Sequence, residues 1–118
     1  MTLDEFFGDD VKARRLFDAL SKEIGRLGKF TIRVTKSQVA FRGRKNVAVA
    51  WMPGKYLKAS TAPLVLTLSF EAKDPSPRWK QVTQVAERRF THHLELREVG
   101  ELDTQVRRWL EAAWEAAA

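Results

Sequence analysis

Apolar side chains recur at three- and four-residue spacing through the first quarter of the chain. Ala13, Leu16, Phe17, Leu20, Ile24 and Leu27 fall on one stripe of a helix. Asp9 or Asp10 supplies a short carboxylate to cap its free N–H groups, and Gly28 stops it. A single helical turn over Thr2 to Phe7, ended by Gly8, precedes it. After Gly28 the period changes to two, the mark of a strand with one face in and one face out. Phe30, Ile32 and Val34 alternate with Thr31 and Arg33, and Val39 and Phe41 alternate with Ala40 and Arg42, a strand running to Gly43 or Arg44. Beyond a turn at Lys45-Asn46, Val47, Val49 and Trp51 oppose Ala48, Ala50 and Met52. Pro53-Gly54 breaks the pattern and opens a loop to Pro63. Leu64, Leu66, Leu68 and Phe70 then face one way, and Val65, Thr67 and Ser69 the other. After a loop at Asp74-Pro-Ser-Pro, strands over Val82 to Ala86 and Thr91 to Arg97 flank a charged turn at Glu87-Arg-Arg. A last helix follows, capped by Asp103 and striped by Val106, Leu110, Ala113 and Trp114.

The order is helix, about six strands, helix, which predicts an α+β fold. Short connections favour an antiparallel meander, with the N-terminal and C-terminal helices packed on one face of the sheet. No linker or repeat divides the 118 residues, so residues 1–118 read as a single domain. Hydrophobic residues make up 44% of the chain, enough for a core and too many for a disordered segment. Cysteine is absent, which excludes disulfides, thiolate nucleophiles and Cys-ligated metals. No apolar run approaches the roughly 20 residues that span a bilayer. The opening Met1-Thr-Leu-Asp-Glu-Phe-Phe is acidic where a secretory signal is basic. The expectation is a cytoplasmic protein without membrane partners.

Four segments together carry a family resemblance. They are Thr35-Lys-Ser-Gln-Val-Ala-Phe-Arg, Leu64-Val-Leu-Thr-Leu-Ser, Phe90-Thr-His-His-Leu-Glu-Leu and Leu102-Asp-Thr-Gln-Val-Arg-Arg-Trp-Leu-Glu-Ala-Ala-Trp. Their order and spacing resemble the bacterial family known as domain of unknown function 5655, over nearly the whole chain. The chain is also distantly similar to the YjbR-like fold, an antiparallel sheet with flanking helices. The resemblance supports the fold and implies no activity, cofactor or site residue.

Familiar catalytic patterns are missing: no Gly-x-Ser-x-Gly elbow, phosphate-binding loop or dinucleotide fingerprint occurs. His92 shares a face with Leu94 and Leu96, so it is expected inside, while His93, beside Thr91 and Glu95, is expected outside. A buried histidine is either a pKa-shifted acid or base or a satisfied core residue, and the second is the commoner case. His93 and Glu95 could give two metal ligands, short of the three a catalytic zinc needs, so no metal or cofactor is expected.

Charge is the one feature above background. From Ile24 to Phe70, 47 residues hold nine Lys or Arg and no Asp or Glu, in a chain whose overall net charge is +6. Arg33, Arg42 and Arg44 are placed opposite the apolar face of their strands, over a floor of Ala40, Ala48, Ala50, Thr67 and Ser69. Guanidinium groups around small side chains suit phosphate or carboxylate. Trp51 and Trp114 read as core, whereas Tyr56 and Trp79 sit in loops beside lysine and arginine, where an aromatic ring can stack on a base. The expected ligand-binding residues are therefore Arg33, Lys36, Arg42, Arg44, Lys45, Tyr56 and Trp79. The leading reading is a non-catalytic module for an anionic partner, either nucleic acid or a small phosphorylated or carboxylated ligand. Two alternatives stand beside it: a small enzyme using His92 or His93 with Lys36 or Arg42, and a protein-interaction adaptor.

Overall fold

Three helices begin by one device, a short side chain closing on the first turn. The computed structural model describes residues 1–55 and 62–118. Thr2 accepts from the Glu5 N–H at 3.1 Å while Glu5 accepts from the Thr2 N–H at 3.0 Å, starting α1 (Leu3–Phe7). Asp10 accepts from the Ala13 N–H and starts α2 (Val11–Gly25); Asp103 accepts from the Val106 N–H and starts α3 (Thr104–Ala116). The strands are β1 (Thr31–Val34), β2 (Val39–Arg42), β3 (Asn46–Trp51), β4 (Leu64–Phe70), β5 (Gln81–Ala86) and β6 (Arg89–Leu96).

These form one antiparallel sheet in the order β1-β2-β3-β4-β6-β5. The expected α+β architecture holds, with one refinement to the meander. Residues 71–80 carry the chain to the outer edge, so β6 returns to pair with β4 and β5 lies outside it.

Both long helices lie on one face. Leu16, Phe17, Leu20 and Ile24 of α2 join Val106, Trp109, Leu110 and Ala113 of α3 in one core with Val39, Phe41, Leu64, Leu66, Leu68, Leu94 and Leu96. Phe17 stacks on Phe41 with ring centroids 5.2 Å apart. Each fully buried Leu or Phe contributes about 1.5–3 kcal/mol, so this layer carries the fold. α2 ends at Gly25, a turn earlier than its stripe implies, and Leu27 only partly packs on the core.

One expectation is corrected. Ala48 and Ala50, assigned to the arginine-bearing face, are 2% and 0% exposed on the helix-covered face, paired with Phe41 and Val39. Val49 and Trp51 lie on the other face. Hydrophobic size misassigns this strand because α3 packs directly on β3 and Phe41 stands beside Ala48, so the small residues fall on the covered face. A bulge between Phe41 and Arg42 adds to the error, since Val47 and Ala48 are both buried although adjacent.

His92 points inward as expected and is 0% exposed, while His93 on the other face is half-buried. The His92 Nε2 accepts from the Asp74 N–H at 3.0 Å, and its Nδ1–H donates to the Phe90 carbonyl at 3.0 Å. Burial pushes its pKa below the ordinary histidine value, against the opposing pull of the Phe90 carbonyl and Asp74. Both ring nitrogens are thus held by backbone, and the residue anchors the Asp74 loop.

Candidate functional site

The β2–β3 hairpin delivers its cations to the last turn of α3. Arg42 closes β2, Arg44 and Lys45 occupy the turn, and the Gly43 N–H donates to the Lys45 carbonyl at 3.1 Å. A groove of about 440 Å³ opens there, lined by Arg42, Lys45, Ser69 and Arg89 against Ala113, Ala116 and Ala117. A second, of about 310 Å³, carries Lys29 and Arg44 beside Trp114. The two adjoin through Val47 and Ala117, and no Asp or Glu lines either. The carbonyl end of a helix holds about half a negative charge, which favours cations nearby. Against five cations it leaves the region strongly positive.

The acid-free run sorts by what its cations touch. Arg26 pairs with Glu23, and the Lys55 ammonium donates to the Phe6 carbonyl at 3.0 Å and lies over the Phe6 ring. Glu95 pairs with Lys80 and Arg97, and Glu98 with Lys12. Lys29, Arg33, Lys36, Arg42, Arg44, Lys45 and Arg89 have no carboxylate partner among the described residues.

Of the residues expected at the site, Arg42, Arg44 and Lys45 come together. Arg33 lies on β1 opposite Ala40, and Lys36 sits in the β1–β2 turn, at the other end of β2 from Arg42. Tyr56 lies outside the described residues. Trp79 is not presented to solvent as its loop position implied. It is 7% exposed, its indole N–H donates to Asp74 at 2.9 Å, and its ring lies 4.0 Å from that of Trp109. Pro-rich surroundings give no sign of this, because His92, Asp74 and Trp109 meet Trp79 only after the sheet has formed. Sequence reasoning also missed Arg89 and Lys29. Arg89 reaches the groove because β6, not β5, lies beside β4, an order the strand pattern does not encode.

The face away from the helices carries a second polar group of residues. Trp51, expected in the core, lies here and its indole N–H donates to the Thr67 hydroxyl at 3.1 Å. Thr67 Oγ1 lies 2.8 Å from His93 Nδ1. An indole can only donate, so the hydroxyl that accepts it is free to donate its own proton to an unprotonated Nδ1. Burial lowers the His93 pKa, helped by the nearby His92 and Lys80, which keeps the ring neutral at pH 7. Nε2–H is then left as a donor. Among the described residues no cluster of three or more His, Asp or Glu could hold a metal ion. No described helix is long and apolar enough to cross a membrane.

A family model described as "Domain of unknown function (DUF5655)" matches residues 4–117. The chain belongs to that family. No curated protein and no solved structure matches the chain. In this DUF5655 domain the function must therefore be read from the surface itself.

Proposed function

We propose that this DUF5655 domain is a non-catalytic binding module for a polyanion, with nucleic acid as the partner class. The observation that carries the reading is the pair of adjoining grooves around the end of α3. Lys29, Arg42, Arg44, Lys45 and Arg89 line them, no Asp or Glu side chain does, and none of the five pairs with an Asp or Glu among the described residues. Cations strung along an open trough fit an extended chain of phosphates. A small anion is more often enclosed in a pocket that buries most of its surface.

Replacing Arg42 and Arg89 together by Glu reverses two charges on exposed or half-exposed positions. The double variant should lose retention on heparin and on mixed-sequence DNA at low salt, and its melting temperature should stay close to the parent's. Exposed substitutions away from packing usually change stability by under about 0.5 kcal/mol. Equal retention of parent and variant on both polyanions would end the proposal.

A further inference from the structure

We propose that the polar β4–β6–β5 part of the sheet face turned away from the helices is a platform for single-stranded nucleic acid, continuous with the cationic groove. The inference rests on the polyanion reading and adds which form of nucleic acid the domain takes and where its bases lie.

Both long helices cover the opposite face. On the face turned away from them the strand pairings put Thr67, His93 and Gln81 in one row, and Ser69, Thr91 and Thr83 in the next. Along β6 the column is Arg89, Thr91, His93, Glu95. Charge is confined to its two ends. Between them lies a band of hydroxyl, imidazole and amide groups, short side chains that can both give and accept hydrogen bonds. Trp51 stands beside the band, edge-on to His93 with ring centroids 6.3 Å apart. Glu95, the carboxylate at the far end, is neutralised by Lys80 and Arg97, each at 3.5 Å.

Ser69 and Arg89 belong both to this face and to the cationic groove, so a strand whose phosphates lie along Arg42, Lys45 and Arg89 has its bases over Thr91, Thr67 and His93. Unpaired bases expose flat faces for stacking and polar edges for hydrogen bonds. A duplex hides both, and a broad flat sheet does not enter its grooves, so a duplex would meet this surface through phosphates alone.

The test uses fluorescence anisotropy with a labelled mixed-sequence 12-mer, single-stranded and as its duplex, together with retention on heparin. The parent should bind the single strand at least about tenfold tighter than the duplex. His93→Ala removes a ring of the kind whose base stacking contributes about 1–3 kcal/mol, and should weaken the single strand about 5- to 150-fold. Gln81→Glu, at an exposed position of the edge strand, adds a repelling carboxylate and should also weaken it, with an unchanged melt. Neither variant should change retention on heparin, whereas Arg42→Glu/Arg89→Glu should lose all three ligands. Equal affinity for strand and duplex, or an unchanged single-strand affinity in both His93→Ala and Gln81→Glu, would overturn the platform and leave the groove standing. A parent that binds neither oligonucleotide nor heparin would overturn the polyanion reading and the platform with it.

Discussion

At the scale of single residues, adjacent histidines on opposite faces of β6 have different work. His92 holds the Asp74 loop through a neutral ring, because only an unprotonated Nε2 can accept the Asp74 N–H. Its pKa and that of His93 are both lowered, mainly by burial. An unfolded histidine takes its proton near pH 6.5, whereas the folded chain resists it until lower pH. The stability from keeping the rings neutral is thus full above about pH 6.5 and drains away as the pH falls through the folded-state values. Melting temperature should drop between pH 7 and 5, and His92→Gln/His93→Gln should drop less over that interval, whatever its starting value. Equal pH dependence in the two proteins would remove this account of the histidines. Gly28 shows a constraint of another kind. A Cβ there would sit 2.5 Å from Trp114 Cζ2, so the bare backbone makes room for the indole. Gly28→Ala should cost about 1–3 kcal/mol, the usual range for overpacking, and less when Trp114 is first replaced by Leu. An equal cost in both backgrounds, read by denaturant melts, would contradict the contact.

At the scale of elements, periodicity located the helices well because each has one side in the core. Ala13, Leu16, Phe17, Leu20 and Ile24 are all buried, as their stripe requires, and so are Val106, Leu110 and Ala113. For β3 the same logic failed, because a strand inside a sheet can be apolar on both faces while the pieces above it decide which face holds the small residues. Strand order was legible only in part. Hairpin lengths tie β1 to β2 and β3, but nothing local says that β5 passes to the edge. The candidate site suffered accordingly: Arg42, Arg44 and Lys45 are neighbours in sequence and were found together, whereas Arg89 joins them only through the β4–β6 pairing. Asp103 ties two elements, capping α3 and taking both 2.9 Å hydrogen bonds from the Arg78 guanidinium. That guanidinium holds its carboxyl below the usual aspartate range. Asp103→Ala should cost about 0.5–2 kcal/mol for the lost cap. Removing the chain from Asp103 onward strips Leu110 and Trp109 from the core and should abolish the cooperative melt altogether, since one buried Leu→Ala change alone costs about 2–5 kcal/mol. A truncated protein with an unchanged melt would show that α3 is an appendage.

At the scale of the whole molecule, one face of the sheet is covered by α2 and α3, the other is polar across β4, β6 and β5, and the end of α3 gathers five cations. The five cations stand outside the core cluster, so their charges can be altered without removing a core side chain. The net charge of +6 understates this local field, because the acids lie elsewhere and many are already paired with Lys or Arg. In the proposed function these cations exchange condensed counterions for phosphates. The most direct measurement of that exchange is the affinity for a single-stranded oligonucleotide across a series of salt concentrations. A plot of log affinity against log salt should fall steeply, by about 0.7 for each phosphate engaged, and should lose roughly one such increment for each of Arg42→Ala, Lys45→Ala and Arg89→Ala. A flat plot, or a slope that none of the three substitutions changes, would contradict the account.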